Sequence, residues 1–322
     1  MSRPVVTVLC QDGHRPPGLD AVEAAAEVRY ATAAGLAEAL EGAQVLFLWD
    51  FFSTALQDAW PAADSLEWVH VPAAGVDKLL FDGLRDSRVA VTNARGIFDR
   101  PIAEFVLAGM LAFAKDLPGL NAQQRQQTWR HRPTGGLSGL RVLVVGTGSI
   151  GRETARLLRA VGMDVAGAGR TARSGDEDFG EIHASADLAA VVPGFDYVVM
   201  VAPLTGQTRH LIDAPVLDAM KPAARLVNVG RGACVDTDAL VDALRTGSIA
   251  GAMLDVFETE PLPAGHPLWT MENVIISPHL SGDAQGCLPQ LAAQFADNFA
   301  RFSRGEPLLN EIDKQLGFAA PH

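Results

Sequence analysis

Short apolar runs with helical stretches between them constrain this chain more than any other feature. VVTVL (Val5 to Leu9), QVLFLW (Gln44 to Trp49), EWVHV (Glu67 to Val71) and VAVT (Val89 to Thr92) form a first series. RVLVV (Arg141 to Val145), MDVAGA (Met163 to Ala168), DYVVMVA (Asp196 to Ala202), ARLVNV (Ala224 to Val229), AGAMLDV (Ala250 to Val256) and NVIIS (Asn273 to Ser277) form a second. Such runs suit strands buried on both faces, which implies parallel sheets covered by helices. The alanine-rich segment Ala21 to Leu40 reads as the helix joining the first two runs. At 322 residues the chain exceeds the usual domain of roughly 100 to 200 residues, so two doubly wound α/β domains are expected. Between the series, RPIAEFVLAGMLAFAK carries Pro101 in its first turn and apolar residues almost all round, as a helix packed between domains or subunits would. The segment LPQLAAQFADNFARFSRG reads as a helix that returns to the first domain.

Hydrophobic residues make up 48% and charged residues 20%, enough apolar material for large cores. The formal charge of -12 argues against nucleic acid and anionic membranes as partners. No signal peptide is evident, and FVLAGMLAFA is too short for the roughly 20 residues a membrane span needs. Cys10, Cys234 and Cys287 lie far apart without metal spacing, so no structural disulfide, no metal and a cytoplasmic location are expected.

The strand Arg141 to Val145 runs into GTGSIG and then a helix in which Ile150, Leu157, Leu158 and Val161 share a face. In that order the glycines have distinct uses. Gly146 permits the tight turn, Gly148 opens the backbone to a pyrophosphate, and Gly151 lets helix and strand approach. The helix N-terminus then offers free N–H groups to the anion. Roughly 20 residues further on, where an acid normally holds the ribose hydroxyls of NAD, stands GAGRTAR with Gly169 and Arg170. Glycine leaves room for a 2′-phosphate that Arg170 and Arg173 can bind while Thr171 offers a hydroxyl. NADP(H) is therefore preferred as cofactor, with NAD(H) as the second choice.

Three polar clusters close later strands: NVGRGACVD with Arg231, DVFETEPLP with Asp255 and Glu260, and SPHLSG with His279. In open α/β sheets ligands sit beyond the carboxyl ends of the strands, so these loops should converge beside the glycine turn.

VPAAGVD, NARGIFDRPIAE, VVGTGSIGRETA, APLTGQTRHLI, NVGRGACVDTDAL, DVFETEPLPAGHPLW and ISPHLSG, in this order, make the chain resemble the NAD(P)-dependent D-isomer-specific 2-hydroxyacid dehydrogenases. The resemblance implies a flavodoxin-like substrate domain (residues 1–95 plus 283–322) and a Rossmann-like cofactor domain (residues 96–282) with a cleft between them. It implies Arg231 as the clamp on the substrate carboxylate and carbonyl, His279 as the acid/base and Glu260 as the carboxylate that favours its imidazolium. The implied cofactor contacts add Ser149, Ile150, Ala202, Pro203, Thr205, Val229, Gly230, Asp255, His279 and Ser281 to the glycine turn. Of these, Asp255 would hold the nicotinamide carboxamide. The implied substrate contacts are Ala74, Gly75 and Val76, through their backbone N–H groups, with Arg231 and His279.

The GAGRTAR departure resembles the NADP-dependent glyoxylate and hydroxypyruvate reductases. The chain ends soon after His279, without the appended domain of long phosphoglycerate dehydrogenases, which makes serine biosynthesis a weaker reading. The Glu260 and His279 pair argues against formate oxidation, which moves no hydroxyl proton. Phe51 and Phe52 in WDFFS are candidates for a wall favouring an apolar side chain, or for core. The expected function is NADPH-dependent reduction of a small or apolar 2-oxo acid to the D-2-hydroxy acid by a homodimer, family members dimerising through the cofactor domain. The alternative is a dinucleotide-sensing binding protein of the same fold, like the related corepressors.

Overall fold

A computed structural model describes residues 3–318, which divide into two units: the chain up to Ile97 together with residues from Ala284 onward, and Phe98–Asp283.

The first unit contains β1 (Val5–Leu9), α1 (Asp20–Ala25), β2 (Glu27–Ala31), α2 (Leu36–Leu40), β3 (Val45–Leu48), α3 (Ala55–Ala59), β4 (Trp68–Val71), α4 (Asp82–Asp86) and β5 (Ala90–Asn93). Its sheet runs β2-β1-β3-β4-β5 with every pair parallel, the flavodoxin-like order. The Ala21 to Leu40 segment is not one helix: β2 interrupts it and pairs Val5↔Glu27 through Leu9↔Ala31. Val28 and Tyr30 pack onto the core, while Arg29 pairs with Glu27. This two-residue period, and the open ladder along β1, override the helical propensity of the alanines.

The helix Cys287–Ser303 belongs to this unit, and Phe295 is its anchor. The Phe295 ring stacks on Phe47 at 4.1 Å and on Trp68 at 5.3 Å between centroids, so the returning tail covers one face of the sheet.

His70 on β4 is fully buried beside these rings. Its Nδ1 lies 2.7 Å from Thr92 Oγ1, which also accepts the Trp68 indole N–H, and Nε2 has no hydrogen-bond partner among the described residues. Burial pushes the imidazole down to about 3 from its ordinary 6.5. The folded state therefore keeps His70 neutral while the unfolded chain takes up a proton below pH 6.5. Its contribution is complete above pH 6.5 and is lost as pH falls toward 3, at about 1.4 kcal/mol per pH unit. Urea unfolding between pH 7 and pH 5 is expected to show a shallower loss of stability for His70→Phe than for the wild type. Parallel pH dependences would rule this out.

The second unit contains α5 (Asp99–Ala114), α6 (Leu117–Arg125), β6 (Arg141–Val145), α7 (Ser149–Ala160), β7 (Asp164–Gly169), β8 (Arg173–Asp176), β9 (Gly180–Ala184), α8 (Leu188–Val191), β10 (Tyr197–Met200), α9 (Ala214–Ala219), β11 (Arg225–Asn228), α10 (Thr237–Thr246), β12 (Gly251–Leu254) and β13 (Val274–Ile276). The sheet order is β13-β12-β11-β10-β6-β7-β9-β8, parallel except for the β8–β9 hairpin. Strand order reverses between β6 and β10, which makes the glycine turn after β6 the topological switch point.

One helix reading changes. The buried face of α7 is Gly151, Thr154, Ala155 and Leu158, whereas Val161 lies past the helix end and is 37% exposed. α5 and α7 pack on each other, and Gly151 lies against the Gly146 backbone and Val201, where a side chain would clash. In α5 only Ile102, Ala103, Val106, Gly109 and Met110 are buried, while Arg100, Glu104 and Leu111 are exposed. Its sequence, apolar almost all round, thus yields one buried face within this unit. No helix among the described residues is long and apolar enough to cross a membrane.

Candidate active site

The glycine turn is set by steric necessity. Gly146 has φ +118°, and a Cβ there would lie 2.7 Å from the Ala202 backbone nitrogen. At Gly151 a Cβ would come within 1.9 Å of the Gly146 carbonyl oxygen. Gly148, in contrast, faces open space and precedes α7, which has no side-chain cap. The Ser149 hydroxyl is turned onto Asp99 at 3.1 Å, which leaves the backbone N–H groups of Ser149, Ile150 and Gly151 for an anion. These residues fit a dinucleotide pyrophosphate.

Gly169 ends β7, and a Cβ there would meet Thr147 Oγ1 at 3.1 Å. Arg170 and Thr171 are exposed just beyond it. Arg173 opens β8 and donates to Asp176 at 3.1 Å, so this guanidinium already has a carboxylate partner. Asp176 also accepts both terminal nitrogens of Arg152, which hold its carboxyl well below the usual range, and Arg152 further pairs with Asp178 at 2.7 Å. The loop after Gly169 is thereby tied to the first turn of α7.

On the other side of the switch point, Ala202 is buried against Gly146, and the Pro203 carbonyl accepts from the Thr208 hydroxyl at 2.6 Å. The Thr205 N–H donates to the same hydroxyl, which closes the turn on itself. Val229 is buried and hydrogen-bonded to the Met200 carbonyl. Asn228, 1% exposed, braces the next turn at both ends: Oδ1 accepts from Gly230 N–H at 3.1 Å and Nδ2 donates to the Arg231 carbonyl at 3.1 Å. Arg231 is half-buried, with Nη1 on the Gly230 carbonyl at 2.9 Å.

Asp255 is fully buried at the end of β12. Its carboxylate accepts from Ser277 Oγ at 2.7 Å and from the N–H groups of Leu280 and Ser281 at 2.9 Å each, and its carbonyl accepts from His279 N–H at 2.8 Å. The 277–281 loop is thus wrapped around one carboxylate, which uses most of its acceptor capacity. His279 stands at φ +54°, a left-handed conformation that costs free energy in a residue other than glycine and persists because Asp255 over-determines it. Its Nδ1 lies 2.8 Å from Glu260 Oε2, while Glu260 Oε1 accepts from Phe257 N–H at 3.0 Å. A Cβ on Gly232 would sit 1.8 Å from the Phe257 carbonyl carbon, so the turn after Arg231 lies backbone to backbone on the loop before Glu260.

Glu260 and His279 are therefore in direct contact, and the Arg231 turn packs on the same loop. Sequence reasoning missed Asn228 and Ser277. It also missed that Asp255 shapes the histidine loop. The one available signal was their place at strand ends.

The VPAAGVD loop of the first unit follows β4. Asn93 donates to the Ala74 carbonyl at 2.6 Å and Ala94 N–H to the Ala73 carbonyl at 3.0 Å. Gly75 is half-buried and Val76 fully buried. Phe51 joins the apolar cluster that contains Val76, whereas Phe52 is 64% exposed against it, the two rings 4.4 Å apart.

The family model described as D-isomer specific 2-hydroxyacid dehydrogenase, NAD binding domain, matches residues 107–281. A glyoxylate reductase of Aeropyrum pernix is 34% identical over 269 residues, covering 80% of this chain and 80% of that protein. The structure of a D-isomer specific 2-hydroxyacid dehydrogenase from Xanthobacter autotrophicus Py2, in complex with NADPH and MES, is 33% identical with a TM-score of 0.85, covering 97% of this chain and 99% of the other. An NADPH-dependent glyoxylate/hydroxypyruvate reductase from Sinorhizobium meliloti, in complex with NADP and sulfate, is 27% identical with a TM-score of 0.83, covering 98% and 100%.

Proposed function

The chain belongs to the D-isomer specific 2-hydroxyacid dehydrogenase family and is a nicotinamide-dependent oxidoreductase of 2-hydroxy acids, and we propose that it works as an NADPH-preferring reductase of a small or apolar 2-oxo acid. The observation that carries this reading is the 2.8 Å contact of His279 Nδ1 with Glu260 beside the Arg231 turn. An ionised Glu260 only accepts, so Nδ1 carries a proton and Nε2 is left as the atom that gives its proton to the carbonyl oxygen. The bound reduced nicotinamide supplies the hydride. Arg231 takes the carboxylate with its planar fork and polarises the carbonyl where negative charge develops. Glu260 compensates the charge of the imidazolium. The N–H groups of Ala74, Gly75 and Val76 are proposed as further donors to the carboxylate.

The cofactor contacts are proposed at the glycine turn, Ala202 to Thr205, Val229 and Gly230, with Asp255 and Ser281 acting mainly through the histidine loop. Preference for NADPH is supported by Gly169 and by the exposed Arg170. Arg170→Ala is expected to weaken NADPH by about 10- to 100-fold, the worth of a charge-assisted hydrogen bond, and to leave NADH nearly unchanged. Fluorescence titration of both cofactors reads this, and an equal loss for both would remove Arg170 from phosphate binding. Arg173 is expected to matter less because Asp176 competes for it.

A homodimer is part of the same reading. Trp129 is 97% exposed and Leu117, Leu120 and Leu111 are partly so, which is apolar area that a second copy would cover.

The test is NADPH consumption with glyoxylate, hydroxypyruvate, pyruvate and phenylpyruvate, repeated with NADH. Turnover with at least one acid, faster with NADPH, is expected. Tight NADPH binding without turnover on any of them would favour a dinucleotide sensor.

A further inference from the structure

We propose that Glu258, fastened by His210, is a positioning residue that locks the loop carrying Glu260 to the turn carrying Arg231. Three loops distant in sequence meet at its carboxylate. Oε2 lies 3.1 Å from His210 Nε2, and Oε1 accepts from the Thr237 N–H at 3.0 Å and the Thr237 hydroxyl at 2.7 Å.

Each partner belongs to a segment that matters to the site. His210 ends the stretch that begins at Ala202, and its own N–H donates to the Ala233 carbonyl at 2.8 Å. Ile212 N–H follows on the Cys234 carbonyl at 3.0 Å, so the 203–212 loop is stitched along the turn that starts at Arg231. Thr237 opens α10 directly after that turn. Glu258 lies two residues before Glu260, and the neighbouring Phe257 donates its N–H to Glu260. Gly232 presses on the backbone of Phe257 and Glu258, which leaves the two loops in contact but with no side chain of Gly232 to hold them there. The Glu258 carboxylate supplies that fastening.

Charge favours it further. Burial would raise the Glu258 carboxyl, but the donors from Thr237 and His210 outweigh this and hold it below its ordinary value. The negative charge also sits at the N-terminus of α10, where a helix favours it. His210 is at φ +49°, a strained conformation that directs its ring toward Glu258, with Asp236 4.0 Å from Nδ1 on the other side.

Removing the clamp should loosen geometry rather than remove a reacting group. It deepens the reductase reading above and rests on it. Glu258→Ala is expected to lower kcat on the order of 10- to 100-fold, since a displacement of about 1 Å suffices for this, with a smaller loss of NADPH affinity, because the glycine turn is untouched while the 203–212 loop and the Arg231 turn are loosened. Glu258→Gln retains an oxygen for Thr237 and an amide for His210, and should recover most of the rate. His210→Ala should fall between, and adding it to Glu258→Ala should cost nothing more, the non-additivity expected of one contact.

Amide exchange of the cofactor-free protein supplies a readout that needs no turnover. Segments 231–237 and 255–260 should exchange at least about tenfold faster in Glu258→Ala, with the 146–158 segment unchanged. Unaltered exchange and unaltered kcat would overturn the proposal, as would a uniform loss of stability and NADPH affinity that glutamine does not rescue. A wild type without turnover on any 2-oxo acid would instead overturn the reductase reading, and the exchange comparison alone would then decide the clamp.

Discussion

His279→Asn lowers kcat for 2-oxo acid reduction by about 10²- to 10⁴-fold, the range that a positioned acid/base contributes. Asparagine is the substitution of choice because position 279 has φ +54°, and asparagine tolerates the left-handed region better than most residues. The loop should therefore keep its wrap around Asp255, whose hydrogen bonds come from backbone and Ser277 rather than from the imidazole. What disappears is the transferable proton and the contact with Glu260. Because the loss is confined to the transition state, kcat and kcat/KM should fall together while NADPH affinity changes little. Initial rates and a cofactor titration on the same preparation check this. A variant with a raised KM and an unchanged kcat would mean that His279 binds substrate without moving a proton.

Arg231→Lys lowers kcat/KM by about 10²- to 10³-fold, the cost of losing one donor aimed at a developing oxyanion. Lysine keeps the charge, so the prediction separates geometry from electrostatics. The guanidinium bonds the Gly230 carbonyl through Nη1, and its planar fork has the shape that matches a carboxylate. An ammonium has no second arm to do both. The turn itself should survive, since Asn228 holds it from Gly230 N–H to the Arg231 carbonyl without help from the arginine side chain. Both KM and kcat should suffer, because the carboxylate contact exists in ground and transition states and the carbonyl contact strengthens as charge develops. Kinetics within twofold of wild type would remove the bidentate role.

How far these sites can be read from sequence depends on whether the constraint is local. The glycine turn is legible because Gly146 and Gly151 each answer a clash within a few residues or with the adjacent strand, as at Gly151 against the Gly146 carbonyl. Arg231, Glu260 and His279 are legible as motif residues at strand ends. The features that hold them are not. The Glu258 carboxylate finds His210 48 residues away, and Asp255 finds Leu280 and Ser281 across a change of strand, contacts that no local pattern encodes. Composition also misled where it was uniform. The alanines around β2 masked a two-residue period that only pairing with β1 makes decisive, and the nearly all-apolar α5 hid which face would be buried. Arg173 also has Asp176 as a partner three residues further along β8, a pairing that reading the loop for phosphate ligands alone left out.

The most direct test of the central claim is the pH dependence of the forward and reverse reactions with one substrate pair. Reduction needs the imidazolium of His279 and oxidation needs its neutral form. The account therefore predicts that kcat/KM for the 2-oxo acid falls as pH rises, that kcat/KM for the D-2-hydroxy acid rises over the same interval, and that His279→Asn flattens both. Limbs running in the same direction, or opposed limbs that persist in His279→Asn, would contradict it.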